Sequence, residues 1–240
     1  MGLGERGADR VTTSSTPADP DNGFEITDVN RVRRYPNRGR YDRTTVFGIL
    51  DSGLVAHVAF VHEGRPVVIP MAYGRHGDRL FLHGPRKGRI TTAAAGQLVS
   101  VCVTLVDGIV VARSLFDSSM NYRAVVIHGR ASEIEADAGR LEALRHIVEH
   151  TTPGRWDELR PPSAQELKAT TVLEVAIESA SAKVREGGVN DPIEPGTETI
   201  WCGVIPVATA FGEPATDARV PPEVPVPHFV RRLRPSSTTL

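Results

Sequence analysis

The chain has 240 residues, and 28 Lys and Arg against 29 Asp and Glu give it a formal net charge of −1. This balance excludes the broadly basic surface that binds nucleic acid or anionic lipid. Hydrophobic residues make up 40%, enough for a core, whereas aromatic residues at 5% are too few for a platform that stacks single strands. We find neither a run of about 18 apolar residues that could span a membrane nor an apolar signal segment at the N-terminus. With two cysteines only, we expect a soluble protein of the reducing cytoplasm.

Composition divides the chain into three parts. Residues 1–28 are rich in Gly, Ser, Thr, Asp and Pro and contain few large apolar side chains, which predicts a disordered tail. Residues 211–240 contain many prolines, which predicts an extended arm or tail. Residues 29–210 carry the strand signals, and we expect them to form one domain.

The middle part shows apolar runs in quick succession, joined by tight turns. Strands are predicted at 55–61, 66–73, 80–83, 99–106, 122–131, 171–177 and 200–207. Because Glu63-Gly64 and Gly77-Asp78 leave room only for short loops, the first three strands form an antiparallel meander. Helices are predicted after Arg89 and from Asp137. The pattern is typical of a mainly β fold with peripheral helices, an antiparallel split β-barrel.

A basic turn between the third strand and its helix is the most informative local motif. Its sequence is His83-Gly84-Pro85-Arg86-Lys87-Gly88-Arg89, with three cations in four positions. Cationic donors, a glycine-relaxed backbone and a helix N-terminus together suit a phosphate monoester. The alternative is an ordinary basic turn before a helix, and the segment alone leaves both interpretations open. No HExxH or comparable metal motif occurs, so we expect no protein-bound metal site.

In their order along the chain, several segments resemble the pyridoxamine-phosphate-oxidase-like flavin-binding split barrels. The resemblance is strongest to the branch that includes the nitroimidazole-resistance flavoproteins. It rests on VAFV at 58–61, RPVVIPMAY at 65–73, DRLFLHG at 78–84, VCVT at 101–104, SMNYRAVV at 119–126, GRA at 129–131 and PGRW at 153–156. The similarity covers roughly residues 30–206.

This resemblance implies a homodimer with FMN at its interface. The implied cofactor contacts are Arg65, Val68, Ile69, Pro70 and Met71 along the ring, Leu82 and His83 beside the ribityl chain, Lys87 and Arg89 at the phosphate, and Asn121, Tyr122 and Arg123 from the adjacent strand or the other subunit. Trp201 is a further candidate contact, with core packing as the alternative. His83 is the candidate reactive neighbour of the flavin, and its alternative is a hydrogen-bonded histidine at a strand edge.

The chain also departs from the vitamin B6 oxidases of that family. Pro70 stands where those enzymes resemble one another in having a lysine, and residues 230–234 do not match their substrate-phosphate segment. We therefore expect an FMN-dependent oxidoreductase that acts on another small organic molecule by hydride or electron transfer through flavin N5. Nitro compounds are one candidate substrate class, and NAD(P)H is a candidate electron donor.

Two alternative functions stay open at this stage. One is a haem-binding or haem-degrading barrel, with His57, His62 or His128 as the iron ligand. The other is a flavin-binding module without catalytic activity.

Overall fold

The computed structural model describes residues 23–233, which form an antiparallel barrel with helices at its edges. The strands are β1 (Gly39–Arg40), β2 (Ala56–His62), β3 (Arg65–Met71), β4 (Tyr73–His76), β5 (Arg79–Pro85), β6 (Leu98–Val111), β7 (Ser119–Glu133), β8 (Thr170–Ala176), β9 (Ser179–Arg185) and β10 (Gly203–Pro206). The helices are α1 (Arg43–Ser52), α2 (Arg89–Ala93), α3 (Asp137–Thr151), α4 (Ala164–Ala169) and α5 (His228–Arg232). None of the helices within 23–233 is long and apolar enough to cross a membrane.

The strands form one path in the order β3-β2-β6-β7-β8-β5-β4, and every strand pair in it is antiparallel. Strand β9 pairs with β7 and β1, and β10 pairs with β6. The long hairpin of β6 and β7, 14 and 15 residues, forms the centre of the barrel. This architecture confirms the predicted split barrel, but the predicted meander of the first three strands is wrong. The predicted strand 66–73 divides into β3 and β4, and among the described strands β3 pairs only with β2, whereas β5 pairs with β4 and β8.

Strand β7 joins the two halves of the barrel. Its residues 122–128 pair with β9, and its residues 131–133 pair with β8. Gly129 lies at the point where the partner changes, and a Cβ atom there would come within 1.7 Å of the Ala176 carbonyl oxygen. Only glycine permits this backbone approach, so the closure of the barrel depends on it.

The core lies inside the barrel and under α1. Alternate residues of the central strands point inward, and Val58, Val101, Val125 and Ile127 are fully buried. Such burial stabilises the fold by about 1.5–3 kcal/mol for each large apolar side chain. The core therefore follows the period-2 pattern of the sequence.

The buried Tyr73 fixes the end of α1. Its hydroxyl donates a hydrogen bond to the carbonyl oxygen of Leu50, and the carbonyl oxygen of Gly53 lies 3.1 Å from the same hydroxyl oxygen. The ring nitrogen Nε2 of His150 lies 2.6 Å from the same Gly53 oxygen. Burial raises the pKa of Tyr73, so the hydroxyl stays protonated and remains a donor.

Several elements were not predicted from the sequence pattern, among them α1, β4, α4 and β9. Helix α1 begins in a stretch that reads as a basic run, and Asp42 caps it by accepting a hydrogen bond from the Thr45 N–H at 2.7 Å. Strand β9 consists of small and polar residues, which have low strand propensity, yet Ala180 and Ala182 are fully buried. The predicted helix after Arg89 ends earlier than expected, at Ala93.

The ends of the described chain pack more than their composition suggests. Phe24 is buried, and the Asn30 side chain donates a hydrogen bond to the Ala180 carbonyl oxygen at 3.1 Å, so packing begins before the predicted boundary at residue 29. The remainder of the predicted N-terminal tail lies outside the described residues. The C-terminal arm is irregular and largely exposed until α5, where Phe229 is buried beneath the Arg155 guanidinium.

We expect Gly129→Ala to lower the free energy of unfolding by about 3 kcal/mol, because its methyl group would overlap the Ala176 carbonyl. Urea unfolding followed by circular dichroism measures the change. The matched control is Gly48→Ala in α1, where no atom lies within 4 Å of the added carbon and helix propensity favours alanine by up to about 1 kcal/mol. Equal stability of the two variants would contradict this account of barrel closure.

Candidate functional site

Strand β3 presents an open edge. Among the described strands it pairs only with β2, with Pro66 opposite Val61 and Pro70 opposite His57. A proline lacks the N–H group, so within a strand its nitrogen must face away from the ladder. Val68 lies two residues from both prolines and shares their orientation, so its N–H points to the open edge. The edge therefore offers one backbone donor between two prolines.

A basic corner, residues Arg86 to Arg89, follows at the end of β5. The Arg86 N–H donates to the Ala169 carbonyl at 2.9 Å, and the Gly88 N–H donates to the Pro85 carbonyl at 2.7 Å. The Thr91 hydroxyl adds a bond of 2.7 Å to the same Pro85 oxygen. These three bonds fix the backbone of the corner.

The cationic side chains of the basic corner are exposed and unpaired. Within residues 23–233, Arg86, Lys87 and Arg89 form neither a salt bridge nor a side-chain hydrogen bond. Their donors are therefore available to an anion such as a phosphate group. Helix α2 has only five residues, so the helix dipole expected from the sequence adds nothing to this site.

Leu82 and His83 differ sharply in their surroundings. Leu82 is buried in the core opposite Tyr73, so only its backbone could meet a ligand. His83 is paired in register with Val172, and much of its side chain reaches solvent. Burial by the surrounding strands nevertheless lowers the pKa of His83, which favours the neutral imidazole at pH 7. A neutral ring can both donate and accept a hydrogen bond.

The three candidates on β7 are engaged within their own chain. The Asn121 amide donates to the Gly187 carbonyl at 3.0 Å and accepts a hydrogen bond from Arg185. Arg123 donates two hydrogen bonds to Asp107, at 2.7 and 3.0 Å, and they lower the pKa of that carboxyl group. Tyr122 is half-buried. The structure does not bring these side chains to the basic corner of the same chain.

Trp201 lies just before β10, with its indole ring beside Gly203. The residue is 64% exposed, so the core-packing alternative for Trp201 is wrong. Its role as a cofactor contact stays a prediction.

A cavity of about 690 Å³ opens beside the outward-facing side chain of His57 on β2. Its wall combines the end of α1, the start of β2, the middle of β6 and the chain after β10, and it includes His57 and Arg123. Neither His62 nor His128 lines it. His62 lies at the β2–β3 turn opposite Arg65, and His128 is hydrogen-bonded through Nδ1 to the Ser100 hydroxyl at 2.8 Å.

The antiparallel strand order, with an open edge at β3 and a basic corner after β5, defines a split barrel. Residues 42–184, more than half of the chain, match the family model of pyridoxamine 5'-phosphate oxidase. The chain belongs to this family. No curated protein matches it.

Solved structures extend the comparison. The flavocytochrome Anf3 from Azotobacter vinelandii is 39% identical, with a TM-score of 0.81 over 87% of this chain and 97% of its own. The FAD and haem binding protein from Mycobacterium smegmatis is 36% identical, with a TM-score of 0.78 over 82% and 97% of the two chains. A Bacteroides thetaiotaomicron protein assigned to 5-nitroimidazole antibiotic resistance is 23% identical over 60% and 84%, with a TM-score of 0.49, too distant to bear on activity.

The basic corner could be located from the sequence because it is a contiguous motif. The strand at 65–71 was implied by the family resemblance, and its open edge is a finding of the structure. The cavity was missed, since four separate segments build it. The only local signal was the apolar pair Leu54 and Val55 just before His57, whose side chains stay exposed in the structure.

Proposed function

We propose that this protein is a flavin-dependent oxidoreductase that also carries haem. The observation that carries the flavin part is the fixed basic corner, whose three cations have no partner in the described chain. The haem part is supported by the two similar proteins, which are described as a flavocytochrome and as an FAD and haem binding protein. It is also supported by a cavity within the range of about 300–1,000 Å³ typical of cofactor sites.

In this proposal the flavin phosphate lies against Lys87 and Arg89, with Arg86 beside them. The Val68 N–H meets the polar edge of the ring, and His83 lies close to it as a neutral imidazole. FMN is the cofactor expected from the family resemblance. FAD is the second candidate, because the Mycobacterium smegmatis protein is described as binding it. Both flavins carry a phosphate that the basic corner could hold.

A bound flavin would supply hydride transfer, and haem would supply one-electron transfer. The chain's own residues bind and orient these groups, which explains why no nucleophile or acid–base pair is needed. Pro70 cannot supply the cationic side chain that lysine provides at this position in vitamin B6 oxidases. We therefore propose another small organic substrate, with nitro compounds as one class and NAD(P)H as the donor.

We further propose a homodimer in which the partner completes the flavin site. Asn121 and Tyr122 would then meet the flavin held by the other subunit, whereas Arg123 lines the cavity that contains His57. Exposed apolar side chains on the central sheet, Val68, Ile109 and Met120 among them, are consistent with such an interface. Light scattering of the purified protein tests the dimer.

The decisive experiment is the absorption spectrum of protein purified without added cofactor. We expect flavin bands together with a haem Soret band, and mass spectrometry of the released flavin distinguishes FMN from FAD. Oxidation of NADPH or NADH with a nitroaromatic acceptor tests for catalysis. Bound cofactors without turnover by either donor would favour the flavin-binding module, and a Soret band without flavin would favour the haem-only alternative.

We expect Arg89→Ala to raise the flavin dissociation constant about 10- to 100-fold, because a charge-assisted contact of about 1.5–3 kcal/mol is lost. Fluorescence titration of the apoprotein measures it. The matched control is Arg145→Ala, an exposed arginine of α3 on another face. If both variants bind flavin like the wild type, the phosphate does not lie at the basic corner.

Val68→Pro should weaken flavin binding about 3- to 10-fold, the loss of one hydrogen bond. The ladder with β2 should survive, because the nitrogen at this position faces the open edge. Val68→Ala keeps the N–H and serves as the control in the same titration. Equal weakening in both variants would show that the side chain, rather than the N–H, makes the contact.

A further inference from the structure

The cavity around His57 is lined by several exposed apolar side chains, which is uncommon for a site open to solvent. Leu54, Val55 and Val106 line it together with Val207 and Phe211, and all five are large apolar side chains that remain exposed. Scattered exposed apolar residues are ordinary, but a group around one concave site marks a place where an apolar ligand binds.

His57 is the histidine of this wall. Its imidazole forms no hydrogen bond or salt bridge within residues 23–233. His128 is engaged with the Ser100 hydroxyl and His150 with the Gly53 carbonyl. His62 and His83 also form no hydrogen bond or salt bridge within the described residues, but neither lines the cavity. An uncommitted imidazole beside apolar walls has the chemistry of an iron ligand, since a neutral ring nitrogen is a common metal donor.

The same cavity offers a partner for carboxylate groups. Arg123 lines it, and Asp107 uses only two of the five N–H donors of the guanidinium group. The remaining N–H groups of Arg123 can donate hydrogen bonds to a second carboxylate. A ligand with a flat apolar body and carboxylates at one edge, which is the shape of haem, therefore matches this wall.

The segment that follows β10, residues 207–211, forms the outer wall of the cavity. The Val207 N–H donates to the Asp107 carbonyl oxygen at 3.1 Å, which anchors the arm directly after β10. From this anchor, Val207 to Thr209 and Phe211 run along the cavity. The arm thus adds apolar surface that the barrel alone does not provide.

We infer that this cavity is the haem site, that His57 is the protein ligand of the iron, and that residues 207–211 form its outer wall. The inference rests on the proposed function, because it assigns residues to the haem proposed there. It also places the two cofactors on adjacent strands, since His57 is paired in register with Pro70 of the proposed flavin strand.

The test compares His57→Ala with His62→Ala and His128→Ala in the full-length protein produced with added haem precursor. Haem content is measured as the pyridine haemochrome, and iron ligation is read from the Soret position. We expect the haem content of His57→Ala to fall at least tenfold, or its Soret band to shift. Added imidazole should restore the wild-type spectrum. The two control variants should keep the wild-type spectrum, because neither side chain lines the cavity.

Flavin content and circular dichroism of each variant show whether the barrel has folded. A second variant, His57→Met, keeps a ligand at this position and should retain haem with an altered Soret band. Phe211→Ala tests whether residues 207–211 form the outer wall. We expect haem to transfer from this variant to apomyoglobin faster than it does from the wild type.

The possible results distinguish a failure of this inference from a failure of the proposed flavin–haem function. Wild-type protein that binds flavin but takes up no added hemin would overturn the haem part of the proposed function, and this inference with it. Wild-type protein with haem, and an unchanged spectrum in His57→Ala, would overturn this inference alone and leave the flavin–haem proposal standing. Loss of haem from His128→Ala or His62→Ala instead would move the ligand to that residue.

Discussion

The close approach of Gly129 to the Ala176 carbonyl is the constraint on which the rest of the barrel depends. It allows one strand, β7, to leave β9 and continue against β8 without a break. Strand β8 then pairs along its whole length with β5, and this pairing places the basic corner beside the start of β8, where the Ala169 carbonyl holds it. A side chain at position 129 would therefore disturb the support of the candidate flavin site as well as the core.

Pro66 and Pro70 have two effects at the open edge of β3: they prevent pairing with another strand, and they leave one backbone donor free. An open strand edge invites pairing with another chain, and proline is one of the residues that proteins use to prevent it. Pro66 and Pro70 block such pairing, yet they leave the Val68 N–H accessible between them. A planar ligand with an acceptor at its rim can use a single donor in a way that another strand cannot. The two prolines thus prevent strand pairing and still allow a planar ligand to bind at the Val68 N–H.

Strand β2 connects the two regions to which function is assigned. Its partner on one side is β3, and on the other side it contacts β6, whose middle residues line the cavity. The outward face of β2 carries His57, whereas Val58 and Phe60 on the inward face belong to the core. The cavity and the open edge are therefore held by the same rigid sheet, which keeps their separation constant.

The sequence by itself determined the parts that are local. Strand alternation and the cations at 86, 87 and 89 can each be predicted within a few residues. So can the Glu63-Gly64 turn, in which both residues have positive φ. Helix α1 and strand β9 could not be predicted, because a basic run and a row of small residues carry weak local preferences, and both are stabilised by the core that they cover. Only the tertiary structure decided that Arg123 pairs with Asp107, that Trp201 is exposed, and that residues 207–211 line the same cavity as His57. Those relations join segments far apart in the chain, and their energy arises only when the barrel closes and brings the surfaces together.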